Sequence, residues 1–218
     1  MPRRGIGWRI LTVVAALLVL KVTAVVVMGY VNYLPANFNS DFLRGRESYF
    51  YEGYHWAFYL HIAFGPIALI LGMILVNEPF RRRFPQWHRL LGRIQVAGVL
   101  LLVAPSGLVM AYFAAAGPVA AVGFALLALL TAATITLGWR AAVQRRFADH
   151  RRWMWRNFLL LSSAVVLRVL GGLATVLILD AAWFDALAGW ASWLVPLAAF
   201  ELANWRNLRL PQTRPVLR

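Results

Sequence analysis

Six stretches of this chain carry almost nothing but apolar side chains: residues 8–31, 54–76, 91–114, 118–139, 155–179 and 187–205. An α-helix needs ~20 apolar residues to cross the hydrocarbon core of a bilayer, so each stretch predicts one membrane-spanning helix. Six crossings return both ends to the same side. The longest polar interval, residues 32–53, lies between the first two spans; its Pro35, Asn37, Asn39 and Ser40 are turn formers, and Asp41 to Tyr51 suits a short interfacial helix. The expected fold is an all-α transmembrane bundle occupying residues 1–218 as one domain.

Composition strengthens this reading. With 61% hydrophobic residues and a mean hydropathy of +0.67, 218 residues cannot hide their apolar runs inside one soluble core. The start of the chain imitates a secretory signal, with basic residues, an apolar run and then Val22-Thr23-Ala24. The run continues through Val27 to Val31, so an uncleaved first span is expected. Cysteine is absent, which excludes disulfides, thiolate catalysis and Cys-ligated metal centres.

The formal charge of +14 would suggest nucleic acid in a soluble protein, but its distribution follows the membrane instead. One side collects Arg3, Arg4 and Arg9, then Arg81 to Arg83, Arg89 and Arg93, then Arg140 to Arg156, and finally Arg206 to Arg218. The other side has Arg44 and Arg46 beside Asp41, Glu47, Glu52, Asp180 and Asp185. The positive-inside rule puts both termini and the basic turns in the cytoplasm. Trp8, Tyr30, Trp56, Trp87, Trp139, Trp153, Trp183 and Trp205 fall near the predicted helix ends, as interfacial aromatic belts do. No basic and aromatic face outside the membrane set suits nucleic acid.

One basic phrase occurs twice. Arg82-Arg83-Phe84-Pro85-Gln86-Trp87-His88-Arg89 precedes the third span, and Arg145-Arg146-Phe147-Ala148-Asp149-His150-Arg151 precedes the fifth. Spans two–three and four–five therefore read as a parallel repeat of helix hairpins, with any ligand site between the copies. His88 and His150 enter rising helices, where free amides and the helix dipole favour anions, and Arg89, Arg93, Arg151 and Arg156 add to that preference. Arginines here also satisfy topology and hold anionic lipid head groups. Two helices presenting histidines at one level have the donors for a shared haem iron, with arginines for the propionates. A bare metal held by His88, His150 and Glu201 or Asp149 is opposed by the surrounding positive charge.

Nearer the other face, Lys21, His61, Ser106 and Arg168 fall at similar estimated depths. A lone charge in hydrocarbon costs at least ~2.5–3.5 kcal/mol. Lys21 therefore either faces the interior as an anion- or ligand-binding cation or snorkels towards Tyr30 and Tyr33, and Arg168 either binds helix-end carbonyls, Asp180 or Asp185, or joins His61 in a pocket for an acidic or carbonyl-bearing ligand such as a quinone head group. His61, Gly65, Ala68 and Gly72 share one helix face on which a helix or flat ligand can approach closely. Pro66, Pro105 and Pro196 fall inside predicted spans, where they kink or break helices. Paired carboxylates, a nucleophile elbow and a phosphate-cradling glycine loop are all missing.

The motifs His61-x-x-x-Gly65-x-x-Ala68-Leu69-x-x-Gly72, His88-Arg89-x-x-Gly92-Arg93 and His150-Arg151-x-Trp153-Met154-x-Arg156, with Arg168 beyond, resemble the bacterial membrane family known as domain of unknown function 2306. The resemblance covers residues 55–175 and implies a small polytopic membrane protein without a settled activity. A looser likeness to cytochrome b561 and ferric-reductase bundles implies haem b on His88 and His150, with Met28 or Met110 as partner for His61. The expected function is intramembrane redox or cofactor binding, with haem b or quinone, at His61, His88 and His150. Its competitor is a carrier, lipid-binding or assembly protein with anion-binding turns.

Overall fold

The computed structural model describes residues 5–40, 42–178 and 182–209, all helix, turn or connecting loop. Asp41, Asp180, Arg3, Arg4, Arg214 and Arg218 lie outside them. Six helices are long and apolar enough to cross a membrane: Ile10–Tyr33, Glu47–Val76, Pro85–Tyr112, Gly117–Val143, Phe147–Val176 and Trp183–Trp205. The first crossing is α1 (Ile6–Met28), extended by a 3-10 turn at Gly29–Tyr33. After α2 (Glu47–Tyr49) and a π turn at Phe50–Tyr54, the second crossing is α3 (His55–Val76).

A short α4 (Glu78–Arg83) leads into the third crossing, composed of α5 (Pro85–Gly98), a π turn and α6 (Ala104–Tyr112). The fourth is α7 (Gly117–Val143), the fifth is α8 (Phe147–Leu161) plus α9 (Ser163–Val176), and the last is α10 (Ala182–Arg209).

The third and fifth crossings start about two turns before the apolar runs that predict them. Pro85 pre-sets the first turn of α5, and both helices begin with polar turns that hydropathy alone does not register. The interfacial helix expected at 41–51 shrinks to the three-residue α2, because Gly45 takes φ 75°, a left-handed conformation that interrupts regular helix. What holds the segment between the first two crossings is aromatic packing. Leu43, Phe50, Tyr54 and Phe58 are buried together beneath Tyr33, Phe42, Tyr49 and Phe113, and the Arg46 guanidinium lies 4.6 Å from the Phe42 ring centre.

Proline acts differently in each span. Pro66 and Pro196 lie inside α3 and α10 without dividing them. Pro105 cannot donate to Leu101 and its ring crowds that carbonyl; the preceding backbone widens into a π turn at Val99–Val103. The fifth crossing bends at Ser162, whose hydroxyl donates to the Phe158 carbonyl at 2.8 Å, a back-bond that often bends helices.

This bend changes the neighbours of the fifth crossing. On the arginine-rich half, α8 packs between α7 and α3; on the opposite half, α9 packs on α10 and touches α1 lightly. Close approach on the first half depends on small residues, with Phe158, Leu161 and Gln95 closing over Gly72. A second core of Ala68, Val99, Val103 and Ile135 fills the centre, with Met154 and Leu161 against it. At the opposite end α10 is fastened to α7 by the Trp190 indole, which donates to the Val119 carbonyl at 2.9 Å.

A Cβ on Gly123 would come within 2.8 Å of the Trp190 Nε1. Gly123→Ala should therefore push the indole off Val119 and lower stability by about 1–3 kcal/mol, read as a lower unfolding temperature in detergent. An unchanged midpoint would mean that Trp190 does not fasten α10 to α7.

Candidate functional site

Two groups of polar side chains sit at opposite ends of the bundle. The first is built on α3 and α6. His61 Nδ1 lies 3.1 Å from Ser106 Oγ, and Ser106 Oγ donates to the carbonyls of Leu102 and, at 3.1 Å, Val103. Carbonyls only accept, so the serine proton is committed to them and its oxygen must accept from the imidazole. A hydrogen on His61 Nδ1 completes this arrangement. Gly107 makes the contact possible, since a Cβ there would sit 3.3 Å from the imidazole Cε1.

Arg168 joins this group from α9. It lies within electrostatic reach of the His61 imidazole and of Tyr30, where α1 ends. Its side chain is exposed, and its Nη1 donates to the Ala164 carbonyl one turn back at 3.2 Å. Of the expected partners, Asp180 is outside the described residues and Asp185 makes no salt bridge to it among them. Within the layer expected from depth, His61 and Ser106 meet, and Arg168 lies within electrostatic reach of the imidazole. Lys21 does not join them: it is exposed and lies roughly 13 Å along α1 from Tyr30 at ~1.5 Å per residue.

The second group is at the arginine-rich end. His150 Nδ1 lies 2.9 Å from the Gly138 carbonyl, so it too donates from Nδ1 and clasps α8 to α7. His88, in the first turn of α5, is half-buried within electrostatic reach of His150, Arg81 and Arg89; its Nδ1 is buried without a hydrogen-bond partner. The two histidines of the doubled phrase are therefore neighbours.

Several expected roles change here. Arg156, expected to hold an anion, is already engaged: Nε and Nη2 donate to the Glu201 carboxylate at 2.6 and 2.9 Å, and its guanidinium lies 4.5 Å from the Trp153 ring centre. Glu201 is thereby taken from any metal. Asp149 pairs with Arg146 at 3.2 Å, and among the described residues no three metal-binding side chains come together. Met28 is 75% exposed and Met110 packs on the aromatic cluster; the partner of His61 is Ser106.

Arg89, Arg93 and Arg151 remain exposed. Glu78 lies under this arginine field: a hydrogen bond from Arg82, together with the charges of Arg82, Arg81 and Arg151, holds its carboxyl below the usual carboxylate range. The influence of Arg151 also puts the two basic segments beside one another.

Sequence reading missed Tyr30 as a neighbour of Arg168, Gly107 as the seat of the imidazole, and the buried amides. Gln95 donates to the Ala68 carbonyl at 2.8 Å and Asn157 to the Thr131 carbonyl at 2.9 Å, each crossing between helices. Their isolation inside apolar runs was the available signal.

Together these features define a membrane protein of six crossing helices with polar groups at both ends of its interior. The chain matches the family model described as Predicted membrane protein (DUF2306) over residues 58–203, and it belongs to that family. The match runs past the motifs that suggested the resemblance and takes in most of α10. Searches of curated proteins and of solved structures gave no match.

A double-mutant cycle on Arg156→Ala and Glu201→Ala should give a coupling energy of about 1 kcal/mol, the upper range for a partly exposed pair. Strictly additive losses of stability would release Arg156 for anion binding.

Proposed function

We propose that this protein binds a quinone-class ligand, an apolar molecule with a carbonyl or hydroxyl head group, at the His61–Ser106–Arg168 site, and serves membrane redox chemistry there. The observation that carries this reading is the fixed orientation of His61. With Nδ1 donating to Ser106, Nε2 is an acceptor for a quinol hydroxyl, while the unused donors of Arg168 suit a quinone carbonyl or a phenolate. An apolar tail would leave between α1 and α9, where packing is lightest.

The haem part of the redox expectation has less support. Sharing an iron needs ring nitrogens ~4 Å apart with a flat macrocycle between them. At this end α8 packs directly on α7 and α3, Met154 presses on Gly138, and His150 itself ties α8 to α7. The arginine-rich turns are read as facing the cytoplasm of a bacterial inner membrane, by the positive-inside rule.

The test is titration of the purified full chain with decylubiquinone, following intrinsic tryptophan quenching. Arg168→Gln removes a charged donor worth ~1.5–3 kcal/mol, so affinity should fall about tenfold to a hundredfold, with helicity unchanged by circular dichroism; Ser106→Ala should weaken binding less. Identical affinity in wild type and Arg168→Gln, or no saturable binding in either, would sink the reading.

A further inference from the structure

The elbow between α4 and α5 carries an apolar hollow that the bundle leaves unfilled. Phe80, Phe84, Trp87 and Leu91 enclose about 320 Å³, within the ~300–1,000 Å³ range of ligand pockets. Trp87 and Leu91, four apart on α5, share a helix face, and the non-helical Phe84 at the elbow turns Phe80 of α4 towards them. The neighbouring stripe of α5 faces inward: His88 is half-buried and Gln95 is buried against the Ala68 carbonyl. Trp87 and Phe84 stay 57% and 42% exposed, so the hollow opens sideways, away from the bundle.

Its depth and charge identify an occupant. The elbow follows directly on the last residue of α3, Val76, with Asn77 capping α4, so it lies where hydrocarbon gives way to head groups, the level favoured by tryptophan. Between Glu78 and Asp149 the chain contains no acidic residue. Glu78 engages Arg81 and Arg82. Arg83, whose guanidinium is 5.6 Å from the Phe84 ring centre, and the exposed Arg89 have no carboxylate in the salt bridges of the described residues. An apolar hollow beside the unpaired Arg83 at the bilayer boundary is complementary to an amphiphile with an acyl chain and an anionic phosphate.

We propose that the α4–α5 elbow is a binding site for one anionic phospholipid, its acyl chain against Phe80, Phe84, Trp87 and Leu91 and its phosphate on Arg83. This site is at the opposite end of the bundle from His61 and stands independently of the quinone reading. It also gives the basic phrase before α5 a role beyond topology.

The test uses the full chain in phosphatidylcholine vesicles containing graded fractions of dibrominated phosphatidylglycerol or, separately, dibrominated phosphatidylcholine. Quenching of Trp87 is read as the difference between wild type and Trp87→Phe. Half-maximal quenching should need about a tenfold lower fraction of the anionic lipid, and this preference should vanish in Arg83→Gln and weaken in high salt. Equal quenching by both lipids would mean ordinary bilayer contact only, and no quenching by either would mean a face turned to water or to protein; each result overturns the proposal.

Discussion

Hydrocarbon offers no water to a buried donor, so each polar side chain inside this bundle must find an acceptor within the protein. Several buried donors meet that constraint through the second lone pair of backbone carbonyls, while the Trp193 Nε1 and His88 Nδ1 are buried without a partner. Gln95 reaches Ala68, Asn157 reaches Thr131, His150 reaches Gly138 and Trp190 reaches Val119, each across to another helix. Thr131, Thr134 and Thr136 bond one turn back along their own helix. Cross-helix bonds of this kind fix register between surfaces that apolar packing alone would let slide, while the small residues between them permit close contact.

The same constraint isolates the site. Ser106 uses its proton on Leu102 and Val103 and its oxygen on His61, whereas Arg168 makes one bond to its own helix. Guanidinium has five donors, so this residue retains most of its capacity. The bend at Ser162 brings this about: it takes α9 away from the α3–α7 seam that α8 occupies and leaves it beside α10 and the lightly packed α1. One end of the bundle is closed by packing and the other keeps a charged group at a thinly covered seam.

Much of this architecture was legible in the residues. Six apolar runs predict six crossings because hydrocarbon thickness sets helix length directly. Similar depths along α3 and α6 made the His61–Ser106 contact foreseeable, and the doubled phrase pointed to the end where His88 lies within electrostatic reach of His150. What remained hidden depends on azimuth, which apolar helices without a polar face do not encode. Lys21 shares the estimated depth but lies on a helix that barely touches the site. Arg156 looked like its neighbours Arg151 and Arg89 until the fold placed Glu201, from α10, against it. Gly107 and Tyr30 gain significance only from what packs on them. The aromatic cluster was invisible for a related reason, since its members come from three chain segments whose meeting no local pattern announces.

The account turns on how His61 is held, and imidazole ¹⁵N NMR reads that directly. The chain has four histidines, so selective labelling in detergent or bilayer gives a sparse spectrum, assigned by the resonances missing from His61→Gln. The account predicts a hydrogen-bearing Nδ1 for His61 and an Nε2 without hydrogen, whose resonance moves on addition of a short-chain quinol. A hydrogen on Nε2, or an Nε2 resonance indifferent to the quinol, would contradict it.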